Sequence, residues 1–242
     1  MTTFGLVHGA WHGAWCWELL ADELIGRGHE VVAPDLPIDD PSAGAEAYTQ
    51  VILDALAGAE PDLVLVGHSL GGLTVPVVAQ RLAAMGRPVR RMVLLAPLLP
   101  RPGRSVEELR GDEPDQLMPG LSAGQIRHPD RSTTWQPQAA IATMYPDAPA
   151  PLAEWAANRL RRQYWLITQE ITPLIAWPAG EVSVIACASD GVVNPDWVRR
   201  VARVRLGVEA YVLPGDHSPF LSRPAQLADR LLATRPVATR AH

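Results

Sequence analysis

Short apolar runs alternate with longer segments of helical periodicity over most of the 242 residues. Apolar runs bounded by glycine, proline or polar residues are typical of buried strands. We predict strands near residues 3–7, 30–34, 62–66, 91–95, 181–187 and 209–213. Helices are predicted near residues 16–27, 45–57, 70–85, 194–205 and 223–233. This alternation indicates an α/β fold with a parallel sheet and helices on both faces.

The interval 98–177 interrupts the alternation between the fourth and fifth predicted strands. It opens on a proline-rich, loop-like stretch and continues with helical pieces, including residues 151–161. We interpret it as a helical lid subdomain over the active-site edge of a single domain spanning 1–242. Trp155 and Trp165 are predicted to be buried on helix faces, and Trp135 is the candidate substrate contact. Lids of this kind exclude water and shape a pocket.

Residues 67–71, Gly-His-Ser-Leu-Gly, lie between a predicted buried strand and a predicted helix. The order strand, G-x-S-x-G, helix is the nucleophile elbow, in which a tight turn exposes a serine hydroxyl above the sheet. Glycines on either side leave room for that turn. Ser69 is therefore the candidate nucleophile, and it needs a base and an orienting acid.

The base and the acid are expected after the serine, in the order serine, acid, histidine. His217 follows a strand near the C-terminus, and Asp190 follows another buried strand. Asp216 is the rival acid, but neighbouring residues rarely face each other well enough for one to orient the other. We favour Asp190. The histidines of the glycine-rich turns, His8, His12 and His68, are predicted to shape loops.

A small-residue loop follows the first strand, with Ala10 between His8-Gly9 and Trp11. Such a loop can bring the Ala10 amide to a reacting carbonyl, and the Leu70 amide is the second donor of an oxyanion hole. The alternative is that His8-Gly9 is simply a turn.

Composition narrows the function classes. The formal net charge is −5 with dispersed arginines, so neither nucleic acid nor a membrane surface is an expected partner. Two cysteines and the lack of a signal-peptide pattern predict a cytoplasmic protein. No metal-ligand spacing is present, and no metal or other cofactor is expected. Whether the chain forms a homodimer stays open.

Residues 8–17 and 67–72, together with Asp190 and 215–217, resemble the α/β-hydrolase family. The resemblance is closest to plant methyl esterases, salicylate-binding esterase, hydroxynitrile lyases and bacterial carboxylesterases. It implies a six-stranded parallel sheet of order 2-1-3-4-5-6 with a helical lid after strand 4. It also implies Ser69 as nucleophile, His217 as base and Asp190 as acid, with Ala10 and Leu70 as oxyanion donors.

Two positions depart from the lyases of this branch. Those enzymes carry a threonine and a lysine where this chain has Gly9 and Ser218, and this chain contains no lysine at all. We therefore expect a serine carboxylesterase that cleaves small, largely apolar esters through an acyl-enzyme. The alternatives are a non-hydrolytic lyase or cyclase, and a ligand-binding receptor with vestigial hydrolysis. Turnover of a generic aryl ester separates the first from the others.

Overall fold

The computed structural model describes residues 1–233. The last nine residues of the predicted domain, 234–242, lie outside this part. In chain order, the strands are β1 (Thr3–Val7), β2 (Glu30–Val32), β3 (Leu63–His68), β4 (Arg91–Leu95), β5 (Gln125–Arg127), β6 (Thr133–Trp135), β7 (Glu181–Cys187) and β8 (Tyr211–Leu213).

Six of these strands form one parallel sheet in the order β2-β1-β3-β4-β7-β8. The predicted α/β-hydrolase fold is thus confirmed. In chain numbering the order differs from the predicted 2-1-3-4-5-6 because β5 and β6 intervene. The predicted strand 30–34 ends at Val32, close to Pro34, which has no N–H to donate to a ladder.

The α-helices are α1 (Glu18–Gly26), α2 (Ala45–Ala55), α3 (Val75–Ala84), α4 (Val106–Asp112), α5 (Pro137–Met144), α6 (Ala150–Ala157), α7 (Leu166–Gln169), α8 (Pro195–Val201), α9 (Pro219–Ser222) and α10 (Pro224–Leu232). The helix predicted at 70–85 is split into a 3₁₀ segment, Ser69–Leu73, and α3. Pro76 lies in the first turn of α3, where its missing N–H has no helical partner to lose.

The insertion between β4 and β7 is only partly helical. Besides α4 to α7 it contains an antiparallel hairpin, in which Gln125 of β5 pairs with Trp135 of β6. The prediction of a helical lid missed this hairpin, because each strand has only three residues and shows little alternation. No helix within residues 1–233 is long and apolar enough to cross a membrane.

The core lies around the central strands. Every residue of β1, β3 and β4 is buried, as expected for strands covered on both faces. Parallel pairing of β1 with β3 aligns Val7 with Gly67, so the ends of both strands reach the same edge of the sheet. At this edge the 3₁₀ segment after β3 packs directly against the backbone that leaves β1.

Gly71 makes this close approach possible. A Cβ atom at Gly71 would lie 2.6 Å from the carbonyl oxygen of Val7 and 2.8 Å from that of His8. Both neighbours are backbone atoms and cannot move aside like the end of a side chain.

We predict that Gly71→Ala lowers the free energy of unfolding by about 1–3 kcal/mol or more, as overpacking of a filled site does. Gly26→Ala is the matched control, because a Cβ there meets nothing within 4 Å. Urea denaturation of both variants measures the difference. Equal stabilities would contradict the close packing at Gly71.

Candidate active site

Ser69 occupies a strained turn at the end of β3. Its backbone φ is +52°, in the left-handed region that a serine rarely adopts. A Cβ at Gly67 would lie 2.8 Å from the Gly71 carbonyl oxygen and 2.8 Å from Val75, so the turn needs a glycine there. The Ser69 carbonyl accepts a hydrogen bond from the Leu98 amide at 2.9 Å, which anchors the turn to the insertion. These contacts hold a conformation that costs roughly 1–3 kcal/mol by itself.

His217 and Asp190 form a buried hydrogen-bonded pair. The Nδ1 atom of His217 lies 2.8 Å from Oδ2 of Asp190, and the two residues are 2% and 3% exposed. Because a carboxylate can only accept, Nδ1 carries the proton and Nε2 is left as the acceptor of the neutral ring. Oδ1 of Asp190 accepts the amides of Val192 and Val193 at 2.7 and 2.9 Å, which orients the carboxylate.

Asp216, the rival acid, has different partners. Its Oδ2 accepts the Asp147 amide, and its Oδ1 accepts the Ser218 amide and the Ser222 hydroxyl, each at 3.0 Å. Burial raises the pKa of this carboxyl. Asp216 therefore organises the loop around His217 and makes no hydrogen bond to the imidazole.

His68 links the turn at Ser69 to the loop of His217. Its Nε2–H donates to the His217 carbonyl at 2.9 Å, and the two rings are 4.5 Å apart between centroids. Burial, followed by the proximity of His217, lowers the pKa of His68 well below its ordinary value. A neutral His68 thus acts as a structural donor, which agrees with its predicted role of shaping a loop.

The loop after β1 lies directly beside Ser69. A Cβ at Gly9 would lie 2.9 Å from the Cβ of Ser69, so a side chain there would crowd the serine. The Ala10 amide donates to no backbone or side-chain acceptor within residues 1–233. Leu70 is the second residue of a 3₁₀ segment, where amides have no partner within the helix. Both amides are thus available to a ligand.

Two side chains fix the peptide between Ala10 and Trp11. His12 donates from Nδ1 to the Ala10 carbonyl at 2.8 Å, and Oε1 of Gln163 accepts the Trp11 amide at 3.3 Å. The Tyr145 hydroxyl donates to Nε2 of His12 at 2.8 Å. The His12 ring thus has one donor and one acceptor nitrogen, as in a neutral imidazole. Sequence reasoning missed Gln163 and Tyr145, because nothing in their local sequence distinguishes them from other insertion residues.

A cavity of about 740 Å³ opens at Ser69, Ala10 and Leu70. Besides Ala10 and Leu70, the apolar residues of its lining are Trp11, Leu98, Leu117, Leu121, Trp165, Val192 and Val193. His217 and Asp190 are not part of this lining. The hydrogen bond from His68, which precedes Ser69 in the chain, to the His217 carbonyl joins the loop of His217 to the serine turn. The volume suits a small organic molecule.

Two tryptophans form the aromatic wall of the cavity. The indole N–H groups of Trp11 and Trp165 both donate to the Thr133 hydroxyl, at 2.9 and 3.2 Å. Their rings meet edge to face at 5.3 Å. The expectation that Trp165 is a buried helix-face residue was therefore wrong, because it is half-buried at the start of α7 and lines the cavity.

Trp135, the candidate substrate contact, does not line the cavity. It is 7% exposed, and its ring packs edge to face on Trp11 at 5.4 Å. On another side it is covered by Gly124, where an added Cβ would come within 2.7 Å of the ring. Trp135 supports the aromatic wall from outside the cavity. In the described part of the chain, no group of three His, Cys, Asp or Glu residues is placed to hold a metal ion.

Comparison with known proteins identifies the class. The sequence profile described as "Alpha/beta hydrolase family" matches residues 6–230. The chain therefore belongs to the alpha/beta hydrolase family, and its relatives are plant methylesterases and bacterial esterases. It is an esterase-type hydrolase.

Three relatives align with nearly the whole chain. "Probable esterase PIR7A" of Oryza sativa is 30% identical over 252 residues, covering 95% of each protein. The "Carbendazim hydrolyzing esterase" of Nocardioides sp. is 28% identical, covering 96% of this chain and 99% of its own length. "Methyl jasmonate esterase 1" of Vitis vinifera is 26% identical, covering 93% of each protein.

Solved structures agree with the fold. Polyneuridine aldehyde esterase superposes with a TM-score of 0.81 at 20% identity, covering 96% of this chain and 98% of its own. A pyrethroid hydrolase from Sphingobium faniae gives a TM-score of 0.74 at 24% identity, covering 95% of each chain. Tomato methylketone synthase I gives a TM-score of 0.74 at 20% identity, covering 96% of each chain.

The buried histidines predict a loss of stability at mildly acidic pH. Burial lowers the pKa of His8 to about 4 and that of His12 to about 3, and His68 is shifted in the same direction. Below about pH 6.5 the unfolded chain binds protons that the folded chain does not bind, so stability falls as the pH falls. Each histidine contributes up to about 1.4 kcal/mol per pH unit. The raised pKa of Asp216 has the opposite effect on stability, because the folded chain binds this one proton more readily than the unfolded chain does.

Urea denaturation at several pH values checks this prediction. The free energy of unfolding should be level above about pH 7 and should fall steadily between about pH 6.5 and pH 4. His12→Gln lacks one of these imidazoles. Its free energy of unfolding should therefore fall less steeply with pH, by up to about 1.4 kcal/mol per pH unit, the contribution of one proton. A free energy of unfolding that stays level down to pH 5 would contradict the conclusion that these three histidines are buried and neutral.

Proposed function

We propose that this hydrolase is a serine carboxylesterase with Ser69 as nucleophile, His217 as base and Asp190 as orienting acid. The observation that carries the proposal is the Ser69 turn, at φ +52°, opening into a cavity beside two available amides. The relatives named as esterases support the reaction type. The chemistry uses these three side chains, the two backbone amides and a water molecule.

In acylation, the Ser69 hydroxyl attacks the ester carbonyl and passes its proton to Nε2 of His217. The His217–Asp190 hydrogen bond at 2.8 Å supports this role, because a donor at Nδ1 leaves Nε2 as the base. The Asp190 carboxylate then stabilises the imidazolium and keeps the ring oriented. His217 returns the proton to the departing alkoxide, and the acyl group stays on Ser69.

The Ala10 and Leu70 amides would hold the oxyanion of the tetrahedral intermediate. Amides fixed before the reaction need no reorganisation when charge develops on the carbonyl oxygen. The His12 and Gln163 hydrogen bonds to the Ala10–Trp11 peptide support such preorganisation of the first donor. In deacylation, His217 activates a water molecule that attacks the acyl-enzyme, and Ser69 leaves with the proton.

The cavity favours an apolar acyl or alcohol group next to the scissile bond. Trp11, Trp165 and Leu98 belong to its apolar lining, and the Leu98 amide is bonded to the Ser69 carbonyl. Relatives named for methyl jasmonate, carbendazim and pyrethroid esters support a small organic ester as the substrate. The insertion, which supplies much of this lining, is proposed to act as the lid.

We predict that a fluorophosphonate probe labels one residue, Ser69, and that Ser69→Ala abolishes both labelling and ester turnover. Loss of the serine in a related triad costs on the order of a million-fold in turnover. The control is Ser122→Ala, since Ser122 lines the same cavity. It should keep labelling and activity. Turnover of 4-nitrophenyl butyrate at the wild-type rate by Ser69→Ala would overturn the mechanism.

A second prediction distinguishes the two aspartates. Asp190→Asn should leave the fold intact and lower kcat by roughly three to four decades, since Nδ1 then loses its carboxylate acceptor. Asp216→Asn should change kcat far less and should mainly lower the Tm, because its partners are loop amides and a hydroxyl. Steady-state kinetics and thermal denaturation of both variants measure this. The reverse ranking of kcat would assign the acid to Asp216.

A further inference from the structure

Three exposed arginines line the Ser69 cavity. Arg110 lies on α4, Arg127 ends β5, and Arg131 lies in the turn between β5 and β6. We call them the arginine rim. Glu107 is the one acidic side chain in the lining, so the described cavity carries two more arginines than carboxylates. The whole chain, in contrast, has a formal net charge of −5.

The arginine rim lacks the partners that most arginines of this protein have. Elsewhere in residues 1–233, arginine side chains form ion pairs, bond to carbonyl oxygens or stack on an aromatic ring. Four described arginines have none of these contacts: Arg101, Arg110, Arg127 and Arg131. Three of the four thus line one cavity.

The carboxylate nearest in sequence to the rim is engaged elsewhere. Asp130 lies in the hairpin turn, but it accepts hydrogen bonds from Ser132 and the Tyr164 hydroxyl and pairs with Arg162 at 2.9 Å. The Ser132 hydroxyl and amide hold the pKa of Asp130 well below its usual range, so it is an anion with its acceptors occupied. The carboxylate of the turn is therefore paired with Arg162, and Arg127 and Arg131 have no counter-ion within residues 1–233.

The backbone of the hairpin holds the rim in place. The His128 amide donates to the Ser132 carbonyl, and the Arg131 amide donates to the His128 carbonyl, both at 2.9 Å. Arg131 has a φ of +66°, a left-handed conformation that closes the tight turn. At the base of the hairpin, Thr133 accepts both indole N–H groups of the aromatic wall. The hairpin thus anchors the aromatic wall through Thr133 and carries two of the rim arginines.

We propose that the arginine rim binds a carboxylate of the substrate, and that the natural substrate is an ester with a carboxylate remote from the scissile bond. This inference rests on the proposed function and refines the small, largely apolar ester that the sequence predicts. The apolar segment of such a molecule lies along Trp11 and Trp165, and its ester lies at Ser69. Guanidinium groups bind carboxylates through paired hydrogen bonds, and a cavity lined by one sign of charge attracts the opposite charge.

A matched pair of esters tests the proposal. Mono-4-nitrophenyl adipate and 4-nitrophenyl hexanoate have acyl chains of the same length and differ in one terminal carboxylate. For the wild type, kcat/KM should be about tenfold higher for the adipate ester at low salt, through a lower KM, as expected for electrostatic attraction. The advantage should shrink as ionic strength rises.

The arginine-rim variant, Arg110→Gln with Arg127→Gln and Arg131→Gln, should lose this advantage. Its kcat/KM for the adipate ester should fall about tenfold, while that for the hexanoate ester stays within about twofold. All three positions are exposed, so the fold should tolerate glutamine. Arg101→Gln is the matched control, because Arg101 also lacks a partner but does not line the cavity. It should behave as the wild type.

A binding measurement separates this inference from the proposed function. Trp11 and Trp165 line the cavity, so tryptophan fluorescence can report adipanilic acid against its neutral analogue hexananilide. Tighter binding of the acid, lost in the rim variant, supports the carboxylate site even if no ester is hydrolysed. Hydrolysis of both esters with equal efficiency, unchanged in the rim variant, would overturn the site and leave the esterase standing.

Discussion

The left-handed turn at Ser69 is the constraint on which the site depends. A serine keeps a φ of +52° only where the surrounding structure holds it in that conformation. Here closely packed backbone segments hold it. Gly71 fits against the carbonyls of Val7 and His8, and Gly67 fits against the carbonyl of Gly71. The aligned ends of β1 and β3 set these distances, so the sheet register determines where the serine hydroxyl can lie.

Buried neutral histidines connect chain segments that are far apart in sequence. His68 bonds the turn at Ser69 to the loop of His217, and His12 bonds the loop after β1 to Tyr145 of the insertion. Burial depresses the pKa of both histidines, which keeps each ring neutral, with one donor and one acceptor nitrogen. A charged imidazole would have two donors and could not accept the Tyr145 hydroxyl. The same depression that fixes these tautomers makes the fold sensitive to acid.

The insertion gives the cavity two kinds of lining. One is aromatic and aliphatic, and the other consists of exposed arginines that form no ion pair within residues 1–233. The hairpin β5–β6 contributes to both, because Thr133 at its base bonds the two indoles and Arg131 lies in its turn. Since esters of many kinds share one hydrolytic mechanism, the proposed substrate class depends on this insertion more than on the serine, histidine and aspartate.

The sequence alone determined the sheet, the strand-ending loops and the serine turn, because buried strands and the G-x-S-x-G spacing are local patterns. Only the tertiary structure decided what those loops contact. In the structure His217 is hydrogen-bonded to Asp190, whereas Asp216 accepts neighbouring amides. Trp165 lines the cavity and Trp135 does not. The insertion also contains a short hairpin that the sequence did not predict. Each of these outcomes depends on packing between segments distant in the chain, for which a local pattern of residues carries no signal.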